Sequence, residues 1–327
     1  MYQYILKRLL YMIPTIILIS ILVFVVIQLP PGDFLTSYIA QLATSGESVD
    51  LQTIEALKQR YGLDKPLWEQ YFIWIWNMLH GDFGRSLLWN RPVSELIGER
   101  ITLTFVVALF TLLFIWVVSF IIGVYVATHQ YSFSDYVVSI IGYLGLATPN
   151  FMLGLIILWI AYSLTGKNLA GLFSPEYMEA PWSFAKFLDM LKHIWVPVVI
   201  VGTSGTAGLI RTLRANLLDE LNKPYVLTAR AKGLKEIKLI FKYPLRVALI
   251  PFISTVGWSL PFLVSGAEIT AIVLNLPTSG PLLLTALQNQ DMYLAGTFVL
   301  FLSFLTILGT LISDILLAWV DPRIRFE

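Results

Sequence analysis

The chain has 327 residues, of which 57% are hydrophobic and only 13% charged, and its mean hydropathy is +0.75. That composition excludes an ordinary water-soluble globular protein and points to a chain solvated by lipid. The net charge of +1 says nothing about partners, and the absence of cysteine excludes disulfides, thiolate metal sites and cysteine nucleophiles.

Lys7 and Arg8 precede an apolar run from Leu9 to Leu29, ended by Pro30, Pro31, Gly32 and Asp33. About 20 apolar residues is membrane-spanning length, and no small-x-small cleavage site follows, so the run reads as a retained first transmembrane helix rather than a signal peptide. A mixed-polarity segment follows. Residues 51–61 show helical spacing of Leu51, Ile54, Leu57 and Tyr61, and 67–79 are rich in tryptophan and tyrosine, as at a lipid–water boundary. His80-Gly81-Asp82-Phe83-Gly84 then reads as a turn. This stretch predicts a small helical cap on the outer face, with a substrate-docking surface as the alternative.

Nothing is charged between Arg100 and Asp135 or between Asp135 and Lys167, which predicts spans near 101–128 and 136–163. A fourth span runs from Ile194 to Ile210, a fifth over 247–274 with the single acid Glu268, and a sixth near 294–319 with Asp314. Prolines punctuate them: Pro149 in the third, Pro197 in the fourth, Pro251 and Pro261 in the fifth. Broken helices are tolerated in lipid where neighbours or a watery cavity satisfy the freed backbone. The fifth span therefore reads either as a pathway-lining helix or as a proline-kinked packing helix. Lysine and arginine placement sets the orientation. Arg214 to Arg246 carries eight basic residues and three acids, whereas 30–100 has nine acids and six basic residues. The loop between spans four and five thus belongs in the cytoplasm, with both chain termini. The expected fold is all-α with six transmembrane helices, divided into an N-terminal helix (1–30), an extracytoplasmic helical segment (31–100) and a core of five helices (101–327) holding the loop 211–246.

Catalytic signatures fail on inspection. His80, His129 and His193 have no metal-ligand spacing, and there is no H-E-x-x-H. Gly166-Lys167 is followed by Asn168, where a phosphate loop needs serine or threonine. Gly202-Thr203-Ser204-Gly205 matches the G-x-S-G of an intramembrane serine protease, but no histidine base follows position 193. The run 202–208 (GTSGTAG) is better read as a small-residue face for close helix packing.

The loop itself carries more information. Lys223-Pro224 fits a helix start, Tyr225 through Lys232 two helical turns, and Gly233 a left-handed cap. A second short helix over 235–242 places Ile237, Ile240 and Phe241 on one face and lysines on the other. Such a pair suits a docking element for a cytoplasmic partner or a basic loop on anionic lipid.

The run Tyr225-Val226-Leu227-Thr228-Ala229-Arg230-Ala231-Lys232-Gly233-Leu234, continuing to Leu245-Arg246 and Pro251, resembles the cytoplasmic loop of binding-protein-dependent ABC importer permeases of the oligopeptide/dipeptide/nickel family. Further matches are Arg60 to Pro66, Gly81 to Ser86, Thr102 to Thr104, Thr148 to Gly154, Glu268 and Asp321 to Arg325. The long segment after the first span suits the B-type member of such permease pairs. Leu227-Thr228-Ala229 stands where the wider signature has glutamate-alanine-alanine, a loss this branch also shows. The run Leu274 to Gly280 is only a loose match.

The resemblance implies a heterodimer with a second permease, two cytoplasmic ATPases, an extracytoplasmic substrate-binding protein, and no nucleic-acid partner. The chain would hold no cofactor of its own, ATP and Mg being bound by the ATPases, and no catalytic residue. Tyr225, Thr228, Ala229, Arg230, Ala231, Gly233 and Leu234 would form the ATPase-coupling site. Pro149, Asn150, Trp258 and Glu268 are the translocation-pathway candidates. At 1.5 Å per residue, Glu268 stands about 33 Å along an unbroken helix from Arg246, toward the outer leaflet, as an outer gate, a cation-attracting group or a carboxylate reaching interfacial water. Peptides are the implied cargo, with oligosaccharides and nickel complexes as alternatives. An ATP-independent secondary transporter would need inverted repeats of broken helices, which the sequence lacks.

Overall fold

The computed structural model describes residues 2–28, 65–86, 88–89, 91–255, 267–289 and 291–320. The predicted helix over 51–61, Trp258, Pro261 and the closing 321–325 run lie outside them. Thirteen α-helices occupy the described residues: α1 Tyr2–Gln28, α2 Leu67–Leu79, α3 Val93–Thr128, α4 Phe133–Ala147, α5 Asn150–Thr165, α6 Phe184–His193, α7 Trp195–Leu221, α8 Pro224–Ala231, α9 Glu236–Lys242, α10 Pro244–Ser254, α11 Glu268–Val273, α12 Ser279–Gln288 and α13 Met292–Val320. There is no named strand among the described residues, in keeping with the all-α expectation.

Four of these helices, α1, α3, α7 and α13, are long and apolar enough to cross a membrane. The expected third span is not one helix. It is the pair α4 and α5, bent by 107°. Proline disfavours helical geometry in the residue before it. Thr148 accordingly sits at φ −93°, ψ 121°, and Pro149 caps α5 at φ −58°, ψ 137°. Counting this pair as one span gives five. The expected fifth span contains α10 and α11, and its middle lies outside the described residues.

The chain divides into two compact units. In the first (Met1–Ile5, Thr104–Pro277, Leu308–Glu327), the core gathers Ala108 and Ile115 of α3, Val201, Leu209, Leu213 and Leu217 of α7, and Leu245, Ala248 and Phe252 of α10. The small-residue run of α7 sets how closely α3 approaches. A Cβ added at Gly202 would stand 2.7 Å from Phe114 Cδ1, and one at Gly205 would stand 2.8 Å from Ile115 Cδ1. The Ser119 hydroxyl donates to the Thr206 carbonyl across the same contact, 3.1 Å. The run is thus a packing face.

In the second unit (Leu6–Leu103, Thr278–Ile307), Val23 of α1 and Trp74 of α2 are buried with Tyr71, Ile75, Tyr293 and Val299. The hydroxyls of Ser20 and Tyr71 are 2.8 Å apart. The predicted turn after α2 is a glycine-closed cap: Gly81 has φ +82°, its N–H donates to Met78 O, and Asp82 N–H donates to Asn77 O. Asp291, buried, heads α13 by accepting from Leu294 N–H and takes the Ser86 hydroxyl at 2.5 Å.

Candidate functional site: the loop after α7

Between α7 and α10 the chain folds into the two short helices that the residues predict. Pro224 supplies the first position of α8, where no N–H is needed. The helix closes as a Schellman motif at Gly233, whose φ is +78°. Gly233 N–H donates to Arg230 O at 3.0 Å, and Leu234 N–H donates to Ala229 O at 3.4 Å. The apolar contact that accompanies this motif is present, since Leu234 packs against the cluster of Val226, Ala229 and Leu239. Ala229 and Leu234 are therefore the pins of the turn, and Gly233 supplies its backbone.

The remaining predicted residues are exposed. The Thr228 hydroxyl donates to Pro224 O at 2.9 Å. Arg230 reaches across the glycine turn to Glu236, Nε to Oε1 2.5 Å and Nη2 to Oε2 3.2 Å. That hydrogen bond from Arg230 holds the Glu236 carboxyl below its ordinary range. The Tyr225 hydroxyl donates to Glu220. Burial, followed by that carboxylate, pushes its pKa up to about 12, so it remains a neutral donor at neutral pH.

On α9 the expected division of faces is corrected. Lys235 caps the helix, Leu239 is fully buried and Ile240 half-buried, but Ile237 is 76% exposed and Phe241 is exposed beside the lysines. Two helical turns turned inward at 239–240 leave 237 and 241 on the outer side. Leu227 of α8 is exposed as well. Apolar side chains thus stand outward among Lys232, Lys235, Lys238 and Lys242 on a loop whose inner face is already filled.

Ile240 was read in the sequence only as part of an apolar stripe. It packs both against the Val226–Ala229–Leu239 cluster and against the core of α3, α7 and α10. Ile240 thus joins the short helices to the core of the long ones, beside the direct passage of α9 into α10 at Tyr243. A heptad of spacing could not reveal this, because the core it meets is built from other helices.

The pathway candidates are placed separately. Pro149, exposed, precedes α5, and Asn150 is its half-buried first residue. Glu268, half-buried, opens α11. Helix α11 lies on α5, where a Cβ at Gly154 would stand 3.5 Å from Leu274 Cδ2. The two elements are neighbours.

Similarity to known proteins extends over the full length of the chain. Residues 119–326 match the family model described as "Binding-protein-dependent transport system inner membrane component", and residues 1–108 match its N-terminal companion. The chain is 35% identical over 327 residues to the oligopeptide transport system permease protein AppB of Bacillus subtilis, covering 100% of both chains. It is 31% identical to the glutathione transport system permease protein GsiC of Escherichia coli K12, again over 100% of both. It is also 31% identical, over 99% of both, to a putative peptide permease protein of Brucella ovis.

Proposed function

Because the chain belongs to the family of binding-protein-dependent transport system inner membrane components, we propose that it is the B-type permease of an ATP-driven peptide importer. In this reading it works beside a second permease, two cytoplasmic ATPases that bind ATP and Mg, and an extracytoplasmic binding protein. Both termini and the loop 211–246 face the cytoplasm. The observation that carries the reading is the division within α8 and α9. Leu227, Ile237 and Phe241 face outward around the Gly233 turn, while Val226, Ala229 and Leu239 pack the two short helices together and Ile240 joins them to the core of α3, α7 and α10.

Closure of the ATPase pair would push on that outward face. Ile240 would pass the displacement to α10 and α7, and the helices would rock as a body to expose the pathway alternately to each side. Pro149, Asn150, Trp258 and Glu268 are the pathway residues of this reading. Short peptides are the cargo, supported by the oligopeptide and glutathione systems to which the relatives belong.

The test is reconstitution in proteoliposomes. Uptake of a short peptide should require the second permease, both ATPases, ATP and the binding protein. Uptake by this chain alone would overturn the proposal.

A further inference from the structure

Helix α6 turns two charged residues inward beside the buried Met190 and an apolar stripe outward. Its two inward charged residues, Lys186 and Asp189, are 7% and 6% exposed, while Phe184 is 75% exposed and Phe187 and Leu188 also face outward. The burial is built. Lys186 Nζ donates to Ala180 O at 2.6 Å and lies 4.9 Å and 5.5 Å from the ring centres of Phe173 and Trp182. The Asp189 carboxylate accepts from the Ser174 N–H and hydroxyl, both at 2.7 Å. Ser183 caps the helix by accepting from Lys186 N–H. Polar partners for the inner face thus come from the loop 173–180, and none of the outward aromatic surface is needed to hold the helix in place.

A helix beside water does the opposite, turning its apolar stripe inward and its charges out. An outward stripe of phenylalanine and leucine needs a non-aqueous cover, and the chain says which. Only Ile194 separates α6 from the membrane-length helix α7, and Trp195 at that junction is exposed, as is Trp182. At the other end of the segment, Tyr162 and Leu164 of α5 are exposed up to the left-handed cap at Gly166. The segment is therefore bounded in sequence by helices that carry exposed apolar side chains at both ends, and α6 is flanked by tryptophans, the residues that favour the headgroup boundary. Exposed Lys192 is suited to reach headgroup phosphates.

We propose that α6 lies in the extracytoplasmic leaflet as an interfacial helix, with Phe184, Phe187 and Leu188 in the acyl boundary. It holds the outer end of α7 at the bilayer surface, so that displacement at the cytoplasmic end of α7 becomes tilt instead of translation. This rests on the membrane-permease reading but not on the coupling role of α8 and α9.

The chain has no cysteine, so single spin labels can be placed in the complete transporter, with cysteine-free companions, in lipid nanodiscs. Labels at Phe187→Cys and Leu188→Cys should show an oxygen-to-nickel-chelate relaxation ratio several-fold above that at Lys192→Cys. Leu18→Cys on α1 is the lipid control. A nickel-accessible Phe187 or Leu188 label beside a lipid-exposed Leu18 label overturns the proposal. So does shielding of both labels from oxygen and nickel, whether or not the second permease is present, because that marks a protein interface. A water-exposed Leu18 label would instead sink the membrane reading itself.

Discussion

Arg214 on α7 closes a two-point ion pair on Asp135 at the head of α4, Nε to Oδ1 2.8 Å and Nη2 to Oδ2 2.7 Å. Asp135 also accepts from the N–H of Tyr131, whose φ of +63° is unusual for a side chain of that size. The turn between α3 and α4 is thus fastened to the C-terminal half of α7, two turns before that helix ends at Leu221. Asp135 is nearly buried while Arg214 keeps some solvent access. Removing the guanidinium leaves an unpaired buried carboxylate, a change that costs about 3 kcal/mol where both groups are enclosed. Arg214→Gln should lower the thermal unfolding midpoint of the purified transporter markedly. Asp135→Asn combined with it should restore a large part of the loss. Additive losses in the double variant would mean that the pair does not couple.

Gly233 has open space around the position of a Cβ, so a side chain there meets no clash and acts through the backbone alone. A left-handed conformation costs a β-branched residue about 1–2 kcal/mol or more. Gly233→Val should leave membrane insertion intact, misdirect α9 relative to α8, and abolish transport-coupled ATP hydrolysis. Gly233→Asn, which tolerates this conformation, should keep most of it. Normal coupled hydrolysis in the valine variant would count against a coupling role.

Most of this loop was legible because its signals are local. Proline at a helix start and glycine at its end act within four residues, and a Schellman cap is written in one short run. The 67–79 helix and the glycine turn after it are legible for the same reason. What stayed hidden depends on partners distant in sequence. Asp135 reads as an isolated charge until Arg214, 79 residues later, is brought beside it. The inward turn of Leu239 is set by the cluster it meets, not by the spacing of Ile237, Ile240 and Phe241. The break at Pro149 was visible as a proline, but its 107° angle depends on how α4 and α5 each pack against α7.

Ile237 and Leu239 separate docking from folding. Ile237→Asp adds charge at an exposed position, and its effect on stability should be small. It should release the ATPase subunits during co-purification. Leu239→Ala removes a fully buried side chain and should cost about 2–4 kcal/mol. Retention of the ATPases by Ile237→Asp would move the docking face elsewhere on the loop.

The glycines of α7 are not equivalent. A Cβ at Gly202 would stand 2.7 Å from Phe114 Cδ1, so the ring must shift to admit it, whereas nothing lies within 4 Å of a Cβ at Gly208. Gly202→Ala should therefore destabilise the protein by about 1–3 kcal/mol through overpacking. Gly208→Ala should be neutral or slightly stabilising, since alanine is the better helix former. Thermal midpoints of the two variants in the same detergent provide the comparison, and equal midpoints would contradict the packing face.

Asp189 gives the loop before α7 a pH limit. Burial alone pushes its carboxyl up, but the two hydrogen bonds from Ser174 and the charges of His193 and Lys192 outweigh it, leaving the group below its ordinary value. A depressed folded-state pKa contributes stability that is present above the unfolded value, near about 4, and is lost as pH falls through the folded value. Hydrogen-exchange protection over residues 174–189 should accordingly hold from neutral pH down to about 4 and fall away below it. In Asp189→Asn the group cannot ionise, so protection should start lower and lose its acid dependence. An acid transition that survives unchanged in Asp189→Asn would assign it to another carboxylate.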